Sequence, residues 1–142
     1  MSIAVAVYLM AAAAQAPLEV HGQKLPNACV QGARLKVADP DARRLVSTLL
    51  CAPDSAANRR LAVSLLTPKA RLHVSGTGEE DMVTPIDKDN ILARGQAWGP
   101  QIDDSADQVK VSYYPNEACI HSRTLERIGG RWRLTQLGEA CD

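Results

Sequence analysis

A pair of glycines near the C-terminus constrains the fold of this chain more than any other feature of its sequence. Gly129-Gly130 separates two segments in which apolar and polar residues alternate, residues 117–128 and 131–140. Alternation with a period of two indicates strands that bury one face. A Gly-Gly pair between two such strands is typical of a tight turn. The chain is therefore predicted to end in an antiparallel β-hairpin.

The length of the turn decides which residues face each other across this hairpin. A two-residue loop gives compatible pairs near the turn, Leu125 with Leu134 and Glu126 with Arg133. A three-residue loop shifts the pairing by one and gives compatible pairs at the far end, His121 with Glu139 and Cys119 with Cys141. A β-bulge midway, which adds one residue to one strand, would reconcile the two registers.

Four cysteines occur in the chain, at Cys29, Cys51, Cys119 and Cys141. An even number of cysteines in an exported chain indicates disulfide bonds, and four allow three connectivities. The hairpin favours Cys119 with Cys141, which leaves Cys29 with Cys51, and each bond would contribute about 3 kcal/mol in the chain-entropy model. Buried, reduced thiols are the alternative. The cysteines have no zinc-ligand spacing, so we expect no metal.

The N-terminus has the pattern of a secretory signal. Residues 1–16 carry no charge, and an apolar run from Ile3 to Met10 precedes a small-x-small cleavage pattern that ends at Ala16. Cleavage after Ala14 is an alternative. A membrane anchor is the rival interpretation, but the run is shorter than the ~20 residues that a spanning helix needs. We expect a cleaved signal peptide and a periplasmic or secreted product that is no longer attached to the membrane.

After the signal, residues 17–38 contain two Pro and two Gly and predict an irregular lead-in, with a short strand at 34–38. A first helix is predicted to begin at Asp39-Pro40, because Asp caps free N–H groups and Pro suits the first helical position. A second is predicted to begin at Asp54 or Ser55. Pro53 and Pro68 end the two helical patterns. Two short helices with a tight link between them predict a helical hairpin.

Residues 70–78 alternate like a strand, and residues 107–115 place Val109, Val111 and Tyr113 on one face. The segment 79–106 has two possible interpretations, a short helix that begins at Asp87 or a long loop. We expect a single α+β domain over residues 39–142, with N-terminal helices packed on a curved antiparallel sheet of about four strands.

Composition excludes some classes of function. Lys plus Arg equals Asp plus Glu at 16 each, which argues against a general nucleic-acid binder or a polybasic membrane binder. The chain contains no Phe, so Leu, Val, Ile and Ala must build its core.

The segments Arg123 to Ile128, Gly129-Gly130 and Arg131 to Leu134 resemble the last hairpin of the nuclear transport factor 2-like superfamily, a cystatin-like cone fold. Residues 61–76 are similar to the helix that leads into the first strand of that family. The resemblance implies a cone-like sheet around a pocket, and a homodimer through the sheet. Some members are isomerases, dehydratases or cyclases, whereas many only bind ligands. The Asp base and Tyr donor of the isomerase type have no residue-by-residue match here, so no catalytic residue is assigned.

Five side chains are candidates for lining a pocket: His73, Trp98, Tyr113, His121 and Trp132. A pocket histidine can exchange protons near neutral pH. Arg123, Arg127, Arg131 and Arg133 concentrate positive charge in the hairpin, and an anion-binding surface is one interpretation. A solvated sheet face is the expected one, because acidic residues are interleaved with them. No cofactor motif is present.

These features favour an exported, non-catalytic domain that binds a small apolar ligand or a protein partner. A small pocket enzyme of the isomerase or dehydratase kind is one alternative. A periplasmic immunity or inhibitor protein is another.

Overall fold

The computed structural model describes residues 16–30, 35–76 and 79–142. The predicted signal peptide lies outside the described residues apart from Ala16. The elements of the described part are, in chain order, β1 (Leu18–Val20), β2 (Gln23–Leu25), α1 (Pro40–Cys51), α2 (Ala56–Leu65), β3 (Leu66–Gly76), β4 (Glu79–Thr84), β5 (Trp98–Asp104), β6 (Gln108–Tyr114), β7 (Cys119–Ile128) and β8 (Arg131–Cys141).

The described residues form a mixed α+β fold with two helices and a six-stranded sheet of order β4-β3-β8-β7-β6-β5. The α+β class agrees with the sequence analysis, but the expected four antiparallel strands are corrected in two respects. The sheet has six strands, and β3 runs parallel to β8. Strands β4 and β5 lie in the segment 79–106, where clustered charges and Gly99-Pro100 hide the alternation that marks a strand.

The lead-in is more regular than its composition predicts. β1 and β2 pair antiparallel around His21-Gly22, whose φ angles of 49° and 79° close the turn. Such short strands carry too few residues to show a period in the sequence. The strand expected at 34–38 is wrong, since residues 35–38 are not in a strand, and Arg34 lies outside the described residues.

Both helices begin where their capping residues predict. The Asp39 carboxylate accepts hydrogen bonds from the N–H groups of Asp41 and Ala42, at 2.8 and 3.2 Å. The Ser55 hydroxyl accepts a hydrogen bond from the N–H group of Asn58 at 3.1 Å. Ser55 rather than Asp54 is therefore the cap of α2. These bonds satisfy donors that have no partner within the helix.

The β7–β8 hairpin contains both of the registers that the sequence offers. Ile128 faces Arg131 and Leu125 faces Leu134, so the turn is a two-residue Gly129-Gly130 loop. The register then shifts by one between Thr124 and Leu125, and beyond it the pairs are His121 with Glu139 and Cys119 with Cys141. The predicted β-bulge is confirmed, and Thr135 is the extra residue.

Two disulfides fasten the fold, Cys29–Cys51 and Cys119–Cys141, with S–S distances of 2.05 and 2.08 Å. This is the connectivity that the hairpin favours. The first bond ties the end of α1 to the segment after β2, and the second joins directly opposed residues of β7 and β8.

The core lies between the helices and one face of the sheet. Its buried members include Val46, Leu49, Leu50, Ala62, Val109, Val111, Leu125, Leu134 and Leu137. Aliphatic side chains dominate it, as the absence of Phe requires. One surface of this core is a loop, residues 85–97, which carries buried Ile91 and Leu92.

Loop 85–97 has no helix at Asp87, so the loop alternative is the correct one. Its backbone is held to the end of α1, because Ala93 and Gly95 donate N–H groups to the carbonyls of Leu49 and Leu50, each at 2.8 Å. These carbonyls belong to the last turn of the helix, which has no partners for them within the helix. The loop is thereby held against the end of α1.

Candidate functional site

A recess lies between loop 85–97 and the sheet, with a volume of about 290 Å³. We call it the inner recess. The loop contributes Asn90, Leu92, Ala93, Arg94 and Gln96, and the sheet side contributes Tyr113, Pro115, His121, Arg123 and Glu139. Both sides contribute polar groups, and Leu92, Ala93 and Pro115 are the aliphatic members of the lining.

The register of the sheet brings the polar residues together. Tyr113 on β6 faces His121 on β7, and His121 faces Glu139 on β8, so the three form one row across three strands. Arg123 lies two residues from His121 on the same strand and therefore on the same face. Four residues from three strands thus share one side of the sheet.

Arg123 is the most unusual member of the site, because its side chain is only 2% exposed. Its Nε, Nη1 and Nη2 donate hydrogen bonds to the carbonyls of Ile91, Ser122 and Asn90, at 3.0, 2.9 and 3.1 Å. Within the described chain no carboxylate oxygen lies within 4.0 Å of it. A guanidinium has five N–H donors, so one remains on each terminal nitrogen. Burial lowers the pKa of Arg123, although a guanidinium stays charged at neutral pH.

Tyr113 contributes a buried hydroxyl to the inner recess. The residue is 1% exposed, and within the described part of the chain its Oη has no hydrogen-bond partner. Burial raises the pKa of this phenol, so it is a neutral hydroxyl that can donate or accept a hydrogen bond. The Arg123 Cζ lies 5.8 Å from the centre of the Tyr113 ring, within reach of a cation–π interaction.

His121 links Tyr113 to Glu139. Its ring makes an edge contact with Tyr113 at 5.9 Å between centroids, and its Nε2 lies 3.8 Å from Oε1 of Glu139. Burial, and then the positive charge of Arg123, lower the pKa of His121, while Glu139 opposes them. The imidazole is therefore mostly neutral at pH 7.

Together these residues form a cationic site with a free hydroxyl. The formal charges of the lining are those of Arg94, Arg123 and Glu139, which leave one net positive charge when His121 is neutral. Arg94 is exposed and lies 3.6 Å from Asp54, so the charge at the base of the recess is that of Arg123. Such a set can hold a small oxyanion against an apolar wall.

Two of the five side chains proposed from the sequence, Tyr113 and His121, line the inner recess. The other three lie elsewhere. His73 is exposed on β3. Trp98 begins β5 and donates its indole N–H to the Ala16 carbonyl at 2.8 Å. Trp132 is buried near the hairpin turn, where the Arg127 guanidinium lies 4.9 Å from its ring centre.

Sequence reasoning did not identify Arg123 and Glu139 as site residues. The solvated face expected for the hairpin arginines is wrong for Arg123, which the loop carbonyls draw into the core. It is also wrong in part for Arg133, which donates to the carbonyls of Leu65 and Leu66 at 3.3 and 2.9 Å. The signal for Glu139 was present, since one of the two registers pairs it with His121.

The described residues contain no group of three or more His, Cys, Asp or Glu side chains that could hold a metal ion. None of the described helices has the length and apolar character needed to cross a membrane.

No protein-family model matches the chain, and no curated protein matches it in sequence. Among solved structures, it is similar to a nuclear transport factor 2-like protein of unknown function from Shewanella baltica, with a TM-score of 0.36 and 11% identity over 54% of this chain and 71% of that one. A second such protein of unknown function, from Silicibacter pomeroyi, has a TM-score of 0.39 and 13% identity over 70% and 87% of the two chains.

A third similar structure, from Xanthomonas campestris, is described as a candidate calcium/calmodulin-dependent protein kinase II association domain. Its TM-score is 0.38, with 11% identity over 80% of this chain and 96% of that one. Two of the three structures thus belong to the superfamily that the C-terminal hairpin resembles. At these TM-scores they assign no activity, ligand or partner to this chain.

Proposed function

We propose that this protein is an exported, non-catalytic binding domain whose inner recess holds a small molecule with an apolar body and one carboxylate or similar oxyanion. The observation that carries the proposal is the Tyr113 hydroxyl, which is buried without a hydrogen-bond partner among the described residues, on a ring whose centre lies 5.8 Å from the Arg123 guanidinium carbon. The two disulfides fit a protein that works in an oxidising compartment.

The free hydroxyl favours a ligand with a hydrogen-bonding group. A buried polar group without a partner costs about 1–3 kcal/mol. A ligand oxygen that accepts a hydrogen bond from Tyr113 offsets this cost, whereas a purely apolar ligand leaves it in place. Tyr113 lines the inner recess and also belongs to the hydrophobic core, so a ligand in the recess lies beside this residue.

The buried guanidinium favours a negative charge on that group. Buried charges in proteins are normally paired or fully hydrogen-bonded. Arg123 has three hydrogen bonds to carbonyls and two N–H groups left, and Glu139, the acidic residue in the recess, lies near His121. Bidentate contact with a carboxylate would use both remaining donors.

The dimensions of the recess limit the ligand to a small one. Its volume of about 290 Å³ is at the lower end of the range for small-molecule sites. Leu92, Ala93 and Pro115 offer apolar surface opposite the charged groups. This composition suits a compact aromatic or branched aliphatic acid.

A small enzyme of the isomerase or dehydratase kind is the second candidate, and one observation favours it. His121 Nε2 lies 3.8 Å from Glu139 Oε1, which places an imidazole and a carboxylate, the two groups most used in general acid–base catalysis, side by side in the recess. The two candidates differ in turnover of a bound carbon acid, which is measured as deuterium exchange at its acidic C–H. An enzyme catalyses this exchange, whereas a binding domain does not.

Matched acids and amides test the proposed function. Benzoate and benzamide, phenylacetate and phenylacetamide, and hexanoate and hexanamide share shape and differ in charge. Isothermal titration calorimetry at low ionic strength should show binding of at least one acid and weaker binding of its amide. The Tyr113→Phe variant should weaken acid binding about ten- to a hundredfold, because one hydrogen bond to a charged group is lost.

Tyr114 provides the matched control. It is the next residue on β6, and it lines a different recess. Tyr114→Phe should leave the affinity for the acid unchanged. Equal weakening in the two variants, or no binding by any member of the panel, would contradict the proposal.

A further inference from the structure

We propose that the Cys119–Cys141 disulfide is a thiol–disulfide exchange site, which a dithiol reductant opens before Cys29–Cys51, and that its opening alters the His121–Glu139 pair of the inner recess. The inference rests on the exposure of this disulfide, the recess beside it and its place in the hairpin register.

The Cys119–Cys141 bond is accessible to an attacking thiol. Cys141 is exposed and Cys119 is partly exposed, and both line a recess of about 330 Å³ that we call the outer recess. The residues around the two cysteines in this recess include Tyr114, Glu117 and Ala118. The rate of exchange depends on access to the sulfur atoms, and exposed disulfides are the labile ones.

The second disulfide of the chain provides an internal comparison. Cys29 and Cys51 are both partly exposed, as Cys119 is, but they pack against the hydrophobic core, and neither is exposed to the extent that Cys141 is. The backbone before Cys29 is fixed by Asn27, whose amide donates to the Gly95 carbonyl at 2.8 Å and whose Oδ1 accepts from the Cys29 N–H at 2.7 Å. Reagents that require direct access to sulfur should therefore reach this bond last.

The exchange consumes one dithiol and transfers two electrons. A thiolate of the reductant attacks Sγ of Cys141, the bond between the two sulfur atoms breaks, and Cys119 leaves as a thiolate that takes a proton from water. The second thiolate of the reductant then attacks the mixed disulfide and releases Cys141. The reductant ends as a cyclic disulfide, and the protein ends as two thiols.

The hairpin register connects this bond to the inner recess. Cys119 faces Cys141, two residues further along each strand His121 faces Glu139, and two further Arg123 faces Leu137. Residues two apart share a face of the sheet, so the disulfide and the His121–Glu139 pair are neighbours on one face. β8 ends at Cys141, so the disulfide is the covalent restraint on the open end of this hairpin.

Stepwise reduction tests the order of opening. The folded protein is incubated with increasing dithiothreitol, its free thiols are trapped with N-ethylmaleimide, and labelled peptides are identified by mass spectrometry. Cys119 and Cys141 should become labelled at a dithiothreitol concentration at least about tenfold below that for Cys29 and Cys51. Labelling of all four together, or of Cys29 and Cys51 first, would overturn the proposal.

The titration of His121 by NMR tests the coupling. The charged and titratable groups that line the inner recess with it are Tyr113, Arg123 and Glu139 from the sheet and Arg94 from the loop. In the Cys119→Ala/Cys141→Ala double variant, greater solvation should raise the pKa of His121 towards its ordinary value. An unchanged titration would overturn the coupling.

If the double variant does not fold, the same titration is done on wild-type protein at a dithiothreitol concentration that opens only Cys119–Cys141. Neither readout requires a ligand, so their failure is distinct from a failure of the proposed function.

Discussion

The carboxylate of Asp39 caps helix α1 and also accepts a hydrogen bond from the guanidinium of Arg127. Its Oδ1 accepts the N–H groups of Asp41 and Ala42, and its Oδ2 accepts from Nη2 of Arg127. Arg127 in turn lies 4.9 Å from the ring centre of Trp132, which is part of the core. One acidic side chain therefore joins the start of the first helix to the hairpin.

Because Asp39 makes these contacts as a carboxylate, part of the free energy of unfolding should depend on its charge and be lost in acid. The backbone N–H of Ala42, followed by that of Asp41, the Trp132 side chain and the charge of Arg127, holds the pKa of Asp39 below its ordinary value of 3.8, against partial desolvation. A lowered folded-state pKa gives stability that is present above 3.8 and is lost as pH falls through the lowered value. Asp39→Asn retains a capping oxygen but should lose this component.

Urea denaturation from pH 2.5 to 6 measures the effect. The difference in unfolding free energy between wild type and Asp39→Asn should shrink as pH falls through the folded-state pKa. Asp41→Asn is the control, because its ion pair with Arg44 is exposed at 74% and 75% and should contribute little. A constant difference across the range would show that the charge of Asp39 is not responsible.

Removal of the Tyr113 hydroxyl should not destabilise the unliganded protein. In the described structure this oxygen has no hydrogen-bond partner, so Tyr113→Phe deletes a desolvated polar atom and retains the ring. We expect the unfolding free energy to stay equal or to rise by up to about 1 kcal/mol. Chemical denaturation at pH 7 measures it. A loss of more than about 1 kcal/mol would mean that the hydroxyl is satisfied in the free protein.

The charge of Glu139 should set how far the pKa of His121 lies below its ordinary value. Because Glu139 is the group that raises the pKa of His121 against burial and Arg123, Glu139→Gln should lower that pKa further. A histidine with a lowered folded-state pKa gives stability that is complete above the unfolded value, near 6.5, and declines as pH falls towards the folded value. NMR titration of the His121 ring provides the measurement, and a pKa that rises in the variant would exclude the interaction.

The two positions of the Gly129-Gly130 turn should differ in how much a substitution destabilises the protein. The two glycines have φ angles of 59° and 79°, and a Cβ on either would meet no atom within 4 Å, so any cost comes from the backbone alone. Gly130→Ala should destabilise by about 1–2 kcal/mol, because an L-residue disfavours this conformation. Gly129→Asn should cost much less, since Asn-Gly is a preferred pair in such turns. Urea denaturation that ranks the two variants in the opposite order would contradict this assignment of the turn.

The sequence predicted those parts of the fold where local chemistry decides the structure. Asp39-Pro40 and Ser55 mark helix starts through donors that only a cap can satisfy. The hairpin register, its bulge and the Cys119–Cys141 pairing followed from which side chains match across the turn. These signals depend on a few neighbouring residues and need no knowledge of the rest of the chain.

The parts that escaped prediction depend on contacts between distant segments. β5 has little alternation and forms because its edge position beside β6 supplies backbone partners. In the sequence, Arg123 is indistinguishable from the other arginines of the hairpin strands. In the structure, the carbonyls of Asn90 and Ile91 in loop 85–97 accept hydrogen bonds from it. A loop whose position is set by the end of α1 has no periodicity to reveal it, so the inner recess was only partly predictable.

NMR of protein labelled with ¹⁵N at arginine is the most direct test of the proposed site. Titration with the tightest-binding acid of the panel should shift the Nε–H signal of Arg123, and its amide should shift this signal much less at equal occupancy. The Nε–H signals of Arg43 and Arg71, which lie outside the inner recess, should stay in place. Saturable binding of the acid with the Arg123 signal unmoved would contradict the assignment of this recess as the ligand site.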